Sequence, residues 1–451
     1  MPRKPTGYLP AGGREAIGGK GRAAVRQTHI RSIGRRKAFA SAIAVSLAAL
    51  AAAGCSAAGA STPAATVTIS PANGSQGVLP GAPIAVAAKH GKVRAVTVTT
   101  AAGPVLGTLA ANGMWQSADP LATGTKYTVT ATAIGANDKK VTVSDTFQTL
   151  TPQHTFSATV TPLGTDQSVN SEVLATTQYG VGIPITIVFS RPITDRAAVE
   201  RAIQLRTSRP VVGAWYWQDD QTVIFRPRQY WPAYTTVNVA ANFDGVQAAP
   251  GVYGVRNVNL SVSIGPSLIV VASPATHYMN VFYQDKLFGH WPISTGRPGD
   301  DTPDGTYLTT FKNNPQLMTG PGYSLEVPWS VDFTYSGDFI HDAYWSVGEQ
   351  GSTNVSHGCV NTSPAHAETY YNMEEPGDPV TITGSPAAGT TGNGWTEWFL
   401  SWQQWLAGSA TGDVVVAGPT GSSLVSPASV PAATASAPLG LPAVGNANAN
   451  T

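Results

Sequence analysis

The feature that most constrains this chain is the alternation of Val, Thr and Ile with small residues in short runs, punctuated throughout by Gly and Pro. Thr66-Val67-Thr68-Ile69, Ile84-Ala85-Val86, Val96-Thr97-Val98-Thr99, Tyr127-Thr128-Val129-Thr130-Ala131 and Val141-Thr142-Val143 all follow this pattern. Successive side chains of a strand point to opposite faces, so runs of period two are half-buried strands rather than helices. The 47 Gly and 34 Pro supply the turns between them. The chain is therefore expected to be mainly β, and its 451 residues suffice for several domains, each with a core of its own.

Charge narrows the range of partners. Ten of the 27 basic residues lie in the first 37 positions beside a single acid, Glu15. From Ser56 onward 17 basic residues face 25 acidic ones, and after Lys312 there is no Lys or Arg at all. Phosphate backbones are bound by basic faces, so nucleic acid is not expected as a partner.

The N-terminus reads as an export signal over residues 1–55. Arg35-Arg36-Lys37 precedes an uncharged, Ala-rich run from Ala38 to Gly54 that stops at Cys55. The run is short and poor in Leu for a spanning helix. An exported protein of the cell envelope is expected. Cys55 resembles the lipobox cysteine of bacterial lipoproteins, which implies lipidation and anchoring to the outer face of the plasma membrane; cleavage without lipid is the other reading. In either case Cys359, the only other cysteine, has no partner, and a lone exported thiol is open to oxidation unless it has work to do.

A tether over residues 56–64 leads to two sandwich domains, 65–151 and 152–266, both of immunoglobulin-like strand spacing. The second has Ile185–Phe189 and Thr222–Phe225 as its clearest strands. It also holds one helix, capped by Thr194 or Asp195, with Val199 and Ile203 on one face. Trp215-Tyr216-Trp217 is read as core rather than as a ligand platform. A third, β-rich domain covers 267–384, with a helix opening at Pro364 after Ser363 and running to about Asn372. Trp395, Trp398, Trp402 and Trp405 are spaced three, four and three apart, which puts four indoles on one helical face over 385–408. Packing against the third domain is favoured over a carbohydrate-binding stripe. The Ala, Pro, Ser and Gly of 409–451 carry no periodicity and are expected to be disordered.

Chemistry concentrates in the third domain. His341 ends the apolar segment Phe339-Ile340, and Cys359 follows 18 residues later in Ser356-His357-Gly358-Cys359-Val360-Asn361. A thiol attacks as the thiolate, and a free thiol is only a few per cent ionised at neutral pH. An imidazole in reach takes that proton and leaves a reactive ion pair. Gly358 removes a side chain next to the nucleophile, so backbone N–H groups can face a developing oxyanion. Acyl transfer is the natural reaction of such parts. Zinc held by His341, His357 and Cys359 competes poorly, since its fourth ligand would have to be an acid such as Asp342. No metal and no cofactor is expected.

These residues, with Ser294-Thr295-Gly296 to Thr302-Pro303-Asp304-Gly305-Thr306-Tyr307, resemble the bacterial L,D-transpeptidase catalytic (YkuD-type) domain. Two preceding immunoglobulin-like domains, a lipoprotein-type leader and a Trp-rich extension are similar to its mycobacterial members. The resemblance implies Cys359 as nucleophile, His341 as base and His357 as loop support. It implies an oxyanion hole from the amides of Gly358 and Cys359 with the phenol of Tyr323. It also implies that Tyr323, Trp345, Ser356 and Asn361 line the substrate site, and that 294–307 forms a substrate-side loop. Its base is oriented by a backbone carbonyl near the following residue, here Asp342. The implied reaction joins peptidoglycan stem peptides: a tetrapeptide donor loses D-Ala to form an acyl-enzyme, and an amine acceptor resolves it into a 3→3 bridge. Water as acceptor would make an L,D-carboxypeptidase, and a degenerate site would leave a wall-binding lipoprotein. Carbapenem β-lactams are the implied covalent inhibitors. Asp338, Asp342 and Glu349 are candidates for steering a cationic acceptor, or else solvated surface charges.

Overall fold

The computed structural model describes residues 63–136, 138–162, 178–320 and 322–431. The export signal over 1–55 with Cys55, and most of the tether over 56–64, lie outside these residues.

The first sandwich packs two four-stranded sheets. One orders Thr66–Ser70, Ala85–Lys89, Trp115–Ser117 and Gly107–Leu109; the other orders Gly103–Val105, Gly91–Thr100, Lys126–Gly135 and Lys140–Gln148. Along Lys126–Gly135 every second side chain is buried, as the Thr/Val alternation requires. Ile69, Val86, Trp115, Val129 and Phe147 fill the space between the sheets.

In the second sandwich a six-stranded sheet faces Ile203–Thr207, Thr236–Ala241 and Val258–Ser263. Trp215 and Trp217 are buried in its core. The helix Arg196–Arg201 is capped by the Asp195 carboxylate, which accepts from the Ala198 N–H at 3.0 Å. Ile203 has already passed into the next strand, and both it and Val199 reach the core.

Three expectations for the C-terminal part are corrected. Residues Val414–Gly418 and Gly421–Val425 form a hairpin that extends the six-stranded sheet beside Val211–Trp217. The described part of the 409–451 segment is therefore built into the fold, because Val414, Val415 and Ala417 find a sheet edge to bury against. The four indoles also do not share one helix. Glu397–Phe399 is a 3-10 turn, Leu400 is extended, and the helix Trp402–Ala407 starts afresh at its Ser401 cap.

Nor do the indoles pack chiefly on the third domain. Three of them, Trp398, Trp402 and Trp405, surround Arg226 of the second sandwich: its guanidinium carbon lies 4.4 Å from the Trp398 ring and 4.6 Å from that of Trp405, and its Nη2 donates to the Leu400 carbonyl at 2.7 Å. Burial lowers the pKa of this guanidinium to about 9. Aromatic faces, the Leu400 carbonyl and the charge of Glu397 together favour the buried cation. Contact with the third domain comes from Phe399, edge-on to Tyr307, and from Trp395, paired with Leu308.

The third domain has a five-stranded sheet, Lys286–Pro292, Tyr278–Tyr283, Leu268–Ser273, Pro379–Ile382 and Gly305–Leu308. Beside it lies a four-stranded sheet of Lys312–Asn313, Ser330–Asp332, Phe339–Asp342 and Val360–Thr362. Leu268, Val270, Ile293, Val331, Ile340, Val360 and Val380 pack between them. The helix Pro364–Met373 is capped by Ser363. Ile269, Phe282 and Leu308 join the core of the second sandwich. Gly180 and Gly182 allow this approach: a Cβ at Gly182 would lie 2.3 Å from Leu308 Cδ2, and one at Gly180 2.2 Å from the Asp378 nitrogen.

Candidate active site

Two parallel strands assemble the site. Phe339–Asp342 pairs with Val360–Thr362 so that His341 stands opposite Asn361 and Ile340 opposite Val360. Ile340 and Val360 are fully buried in the core. His341 and Asn361 therefore project from the other face, and Cys359, two residues before Asn361, projects from that face too.

His341, Cys359, Trp345, Ser356, His357, Asn361 and Tyr323 all line one cavity of about 370 Å3. Its remaining walls are Met318, Leu325, Val327, Val355, Ser346 and Glu349. The resemblance had not supplied these six. The apolar ones come largely from the hairpin Gln316–Gly320 and Tyr323–Val327, whose alternating apolar residues are no different in sequence from those of any other strand.

The His341 ring is buried, and its Nδ1 lies 2.7 Å from the backbone carbonyl oxygen of Asp342. A carbonyl only accepts, so Nδ1 carries the proton and Nε2 presents a lone pair. The backbone of Asp342, and not its side chain, does the holding. Burial lowers the His341 pKa to about 4, opposed by that hydrogen bond. Burial likewise pushes the Cys359 thiol up to about 12; the amides of Phe339 and Cys359 bond the sulfur and oppose this, while Asp338 and Asp332 reinforce it. Both shifts run against an ion pair and toward neutral thiol and neutral imidazole.

Tyr323 is half-exposed on its hairpin, with its ring 5.3 Å from that of His357. Trp345 lies 5.9 Å from the His341 ring and is also half-exposed. Asn361 is buried and donates to Ser346 Oγ at 3.0 Å. The Ser356 hydroxyl is occupied by the loop itself: it donates to the Cys359 carbonyl at 2.7 Å and accepts from the Gly358 N–H at 3.2 Å. The Gly358 amide is therefore engaged, whereas the Cys359 amide faces the sulfur.

The stretch 294–307 does not line the cavity as a substrate-side loop would. It buttresses the nucleophile loop from behind: Ser294 pairs with Asn361, Gly296 with Ser356, and Thr302 Oγ1 donates to the Gly358 carbonyl. Asp338 and Asp342 are buried, not solvated, and of the three candidate steering acids only Glu349 reaches the cavity.

The third domain is β-rich and opens a buried histidine and a cysteine into one cleft. The family model of the L,D-transpeptidase catalytic domain matches residues 267–382, and that of a bacterial Ig domain matches 75–247. L,D-transpeptidase 2 of Mycobacterium tuberculosis is 35% identical over 357 residues, covering 76% of this chain and 85% of its own. L,D-transpeptidase 5 of the same species is 34% identical, over 77% and 78%. Among solved structures, one of an LD transpeptidase, LdtMt1, in complex with imipenem is 32% identical over 49% of this chain and 100% of that one, with a TM-score of 0.39. The chain belongs to the L,D-transpeptidase family.

Proposed function

We propose that this protein crosslinks peptidoglycan stem peptides through a Cys359 acyl-enzyme. The reading rests on the opening of Cys359 and His341 into a single cavity, with Nε2 left as the free basic nitrogen by the Nδ1 bond to Asp342. Cys359 Sγ attacks the carbonyl preceding the terminal D-Ala of a tetrapeptide donor while His341 Nε2 takes the thiol proton. Transfer is concerted with attack, because neither group is ionised beforehand. The oxyanion is received by the Cys359 amide and the Tyr323 phenol, with Gly358 joining when Ser356 releases its amide. The C–N bond breaks, the D-Ala amine takes the proton from His341, and a thioester remains. The side-chain amine of a second stem attacks the thioester, passes a proton to His341 and displaces the sulfur, giving the 3→3 bridge.

His357 supports the loop and Tyr323; Trp345 and Asn361 shape the pocket. The same thiol opens the strained ring of carbapenem β-lactams, a proposal in keeping with the imipenem complex of the relative above. Export to the cell envelope, with a lipid on Cys55 and the sandwich domains as spacers, belongs to the same proposal. The test incubates a tetrapeptide stem with and without an amine acceptor and weighs the products. Crosslinked dimer with acceptor supports the reading; tripeptide alone in both makes the enzyme an L,D-carboxypeptidase.

A further inference from the structure

Behind the nucleophile loop, away from the cavity, Thr302 is 1% exposed. Its hydroxyl accepts from the Gly296 N–H at 3.0 Å and donates to the carbonyl oxygen of Gly358. That carbonyl and the Cys359 N–H belong to one peptide plane and point in opposite directions across it. Holding the carbonyl toward Thr302 therefore turns the Cys359 N–H toward the cavity side, where it meets its own sulfur.

Little else fixes this plane. Gly358 has φ of +129°, a conformation reserved for glycine, so its own backbone sets no strong preference. A side chain there could not help, since a Cβ would lie 2.1 Å from Asp338 Oδ1. Ser356 Oγ holds the two flanking groups, the Gly358 N–H and the Cys359 carbonyl, but not the plane between them.

We propose that Thr302 is a positioning residue that aims the Cys359 amide as an oxyanion donor. This role rests on the acyl-transfer reading of the site. Its signature is a split between two reactions of the same sulfur: acyl transfer builds an oxyanion, whereas alkylation by iodoacetamide does not.

Thr302→Val keeps the shape and removes the hydroxyl; Thr302→Ser keeps the hydroxyl. Acyl transfer from a tetrapeptide donor and iodoacetamide alkylation are measured for both variants and the wild type. The expected result for Thr302→Val is a kcat lower by roughly 10- to 100-fold, with KM and alkylation rate little changed. Thr302→Ser should return kcat to near wild type. Should the valine variant not fold, Thr302→Ala is read against Thr302→Ser with the same expectation. Acyl transfer as fast in Thr302→Val as in wild type, or alkylation slowed as much as acyl transfer, overturns the positioning role alone. A wild-type protein that forms no acyl adduct with donor overturns the acyl-transfer reading, and this role with it.

Discussion

The Nδ1–H of His341 is donated to the carbonyl oxygen of Asp342 at 2.7 Å, which fixes the tautomer of a ring otherwise enclosed by protein. A backbone carbonyl cannot take up a proton, so it orients the base without stabilising an imidazolium as a carboxylate would. Burial holds the pKa of His341 low, at about 4, against that hydrogen bond, and pushes that of Cys359 up to about 12.

The pH dependence follows from those two directions. His341 acts only when neutral, and its lowered pKa keeps it neutral until pH falls toward 4. Cys359 gives up its proton during attack, and its raised pKa keeps the thiol protonated until strongly alkaline pH. The rate of acylation by a carbapenem, followed by stopped-flow absorbance, should be level from about pH 6 to 9. A limb centred near pH 6.5, where an unperturbed imidazole titrates, would show that burial does not govern the base.

Asp338 lies beside the nucleophile loop, where its carboxylate accepts from Thr334 Oγ1 at 2.7 Å and Ser336 Oγ at 3.0 Å. Its negative charge disfavours the thiolate. Asp338→Asn keeps an acceptor for both hydroxyls and removes the charge, so alkylation of Cys359 at pH 8 should accelerate on the order of tenfold. An unchanged or slower rate would mean that the charge is not felt at the sulfur.

Glu349 is the acid on the cavity wall. If it draws a cationic acceptor amine, Glu349→Gln should lower kcat/KM for the acceptor roughly 2- to 10-fold at low salt, and less at high salt. Equal values for the two proteins at both ionic strengths would discard the steering role.

Glu200 is fully buried and grips the segment that leads into the C-terminal hairpin. It accepts from Trp217 Nε1 at 2.8 Å, the Ala410 N–H at 2.7 Å, Ser409 Oγ at 2.9 Å and Thr411 Oγ1 at 2.8 Å. Glu200→Ala leaves these donors unpaired and should cost about 3 kcal/mol in denaturant unfolding. It should also open the hairpin to thermolysin; trypsin cannot report this, since no Lys or Arg follows Lys312. Wild-type stability and protection would show that the hairpin is held by its sheet pairing alone.

The parts legible in the sequence are those whose signals are local. Ser363-Pro364 starts a helix, Asp195 caps one, and the alternation along Lys126–Gly135 makes a strand, each through contacts within a few residues. His341 and Cys359 were legible because the chemistry of a thiol needs a base and the motif is specific. The Trp-rich segment misled because its spacing is helical, whereas its partner, Arg226, is some 170 residues away and announces nothing in its own neighbourhood. The hairpin after Val414 was hidden for a similar reason: three valines make a strand only when an edge is offered. Asp332 carries no local signal and Asp338 reads as either a steering or a solvated acid, because only the fold buries them beside the thiol.

The most direct test of the account is intact-mass spectrometry of the protein mixed with a tetrapeptide stem or a carbapenem. The account predicts one covalent adduct per chain, carried on the peptide that contains Cys359, formed by the wild type and absent from Cys359→Ala. No adduct on the wild type, or an adduct that persists in Cys359→Ala, would contradict it.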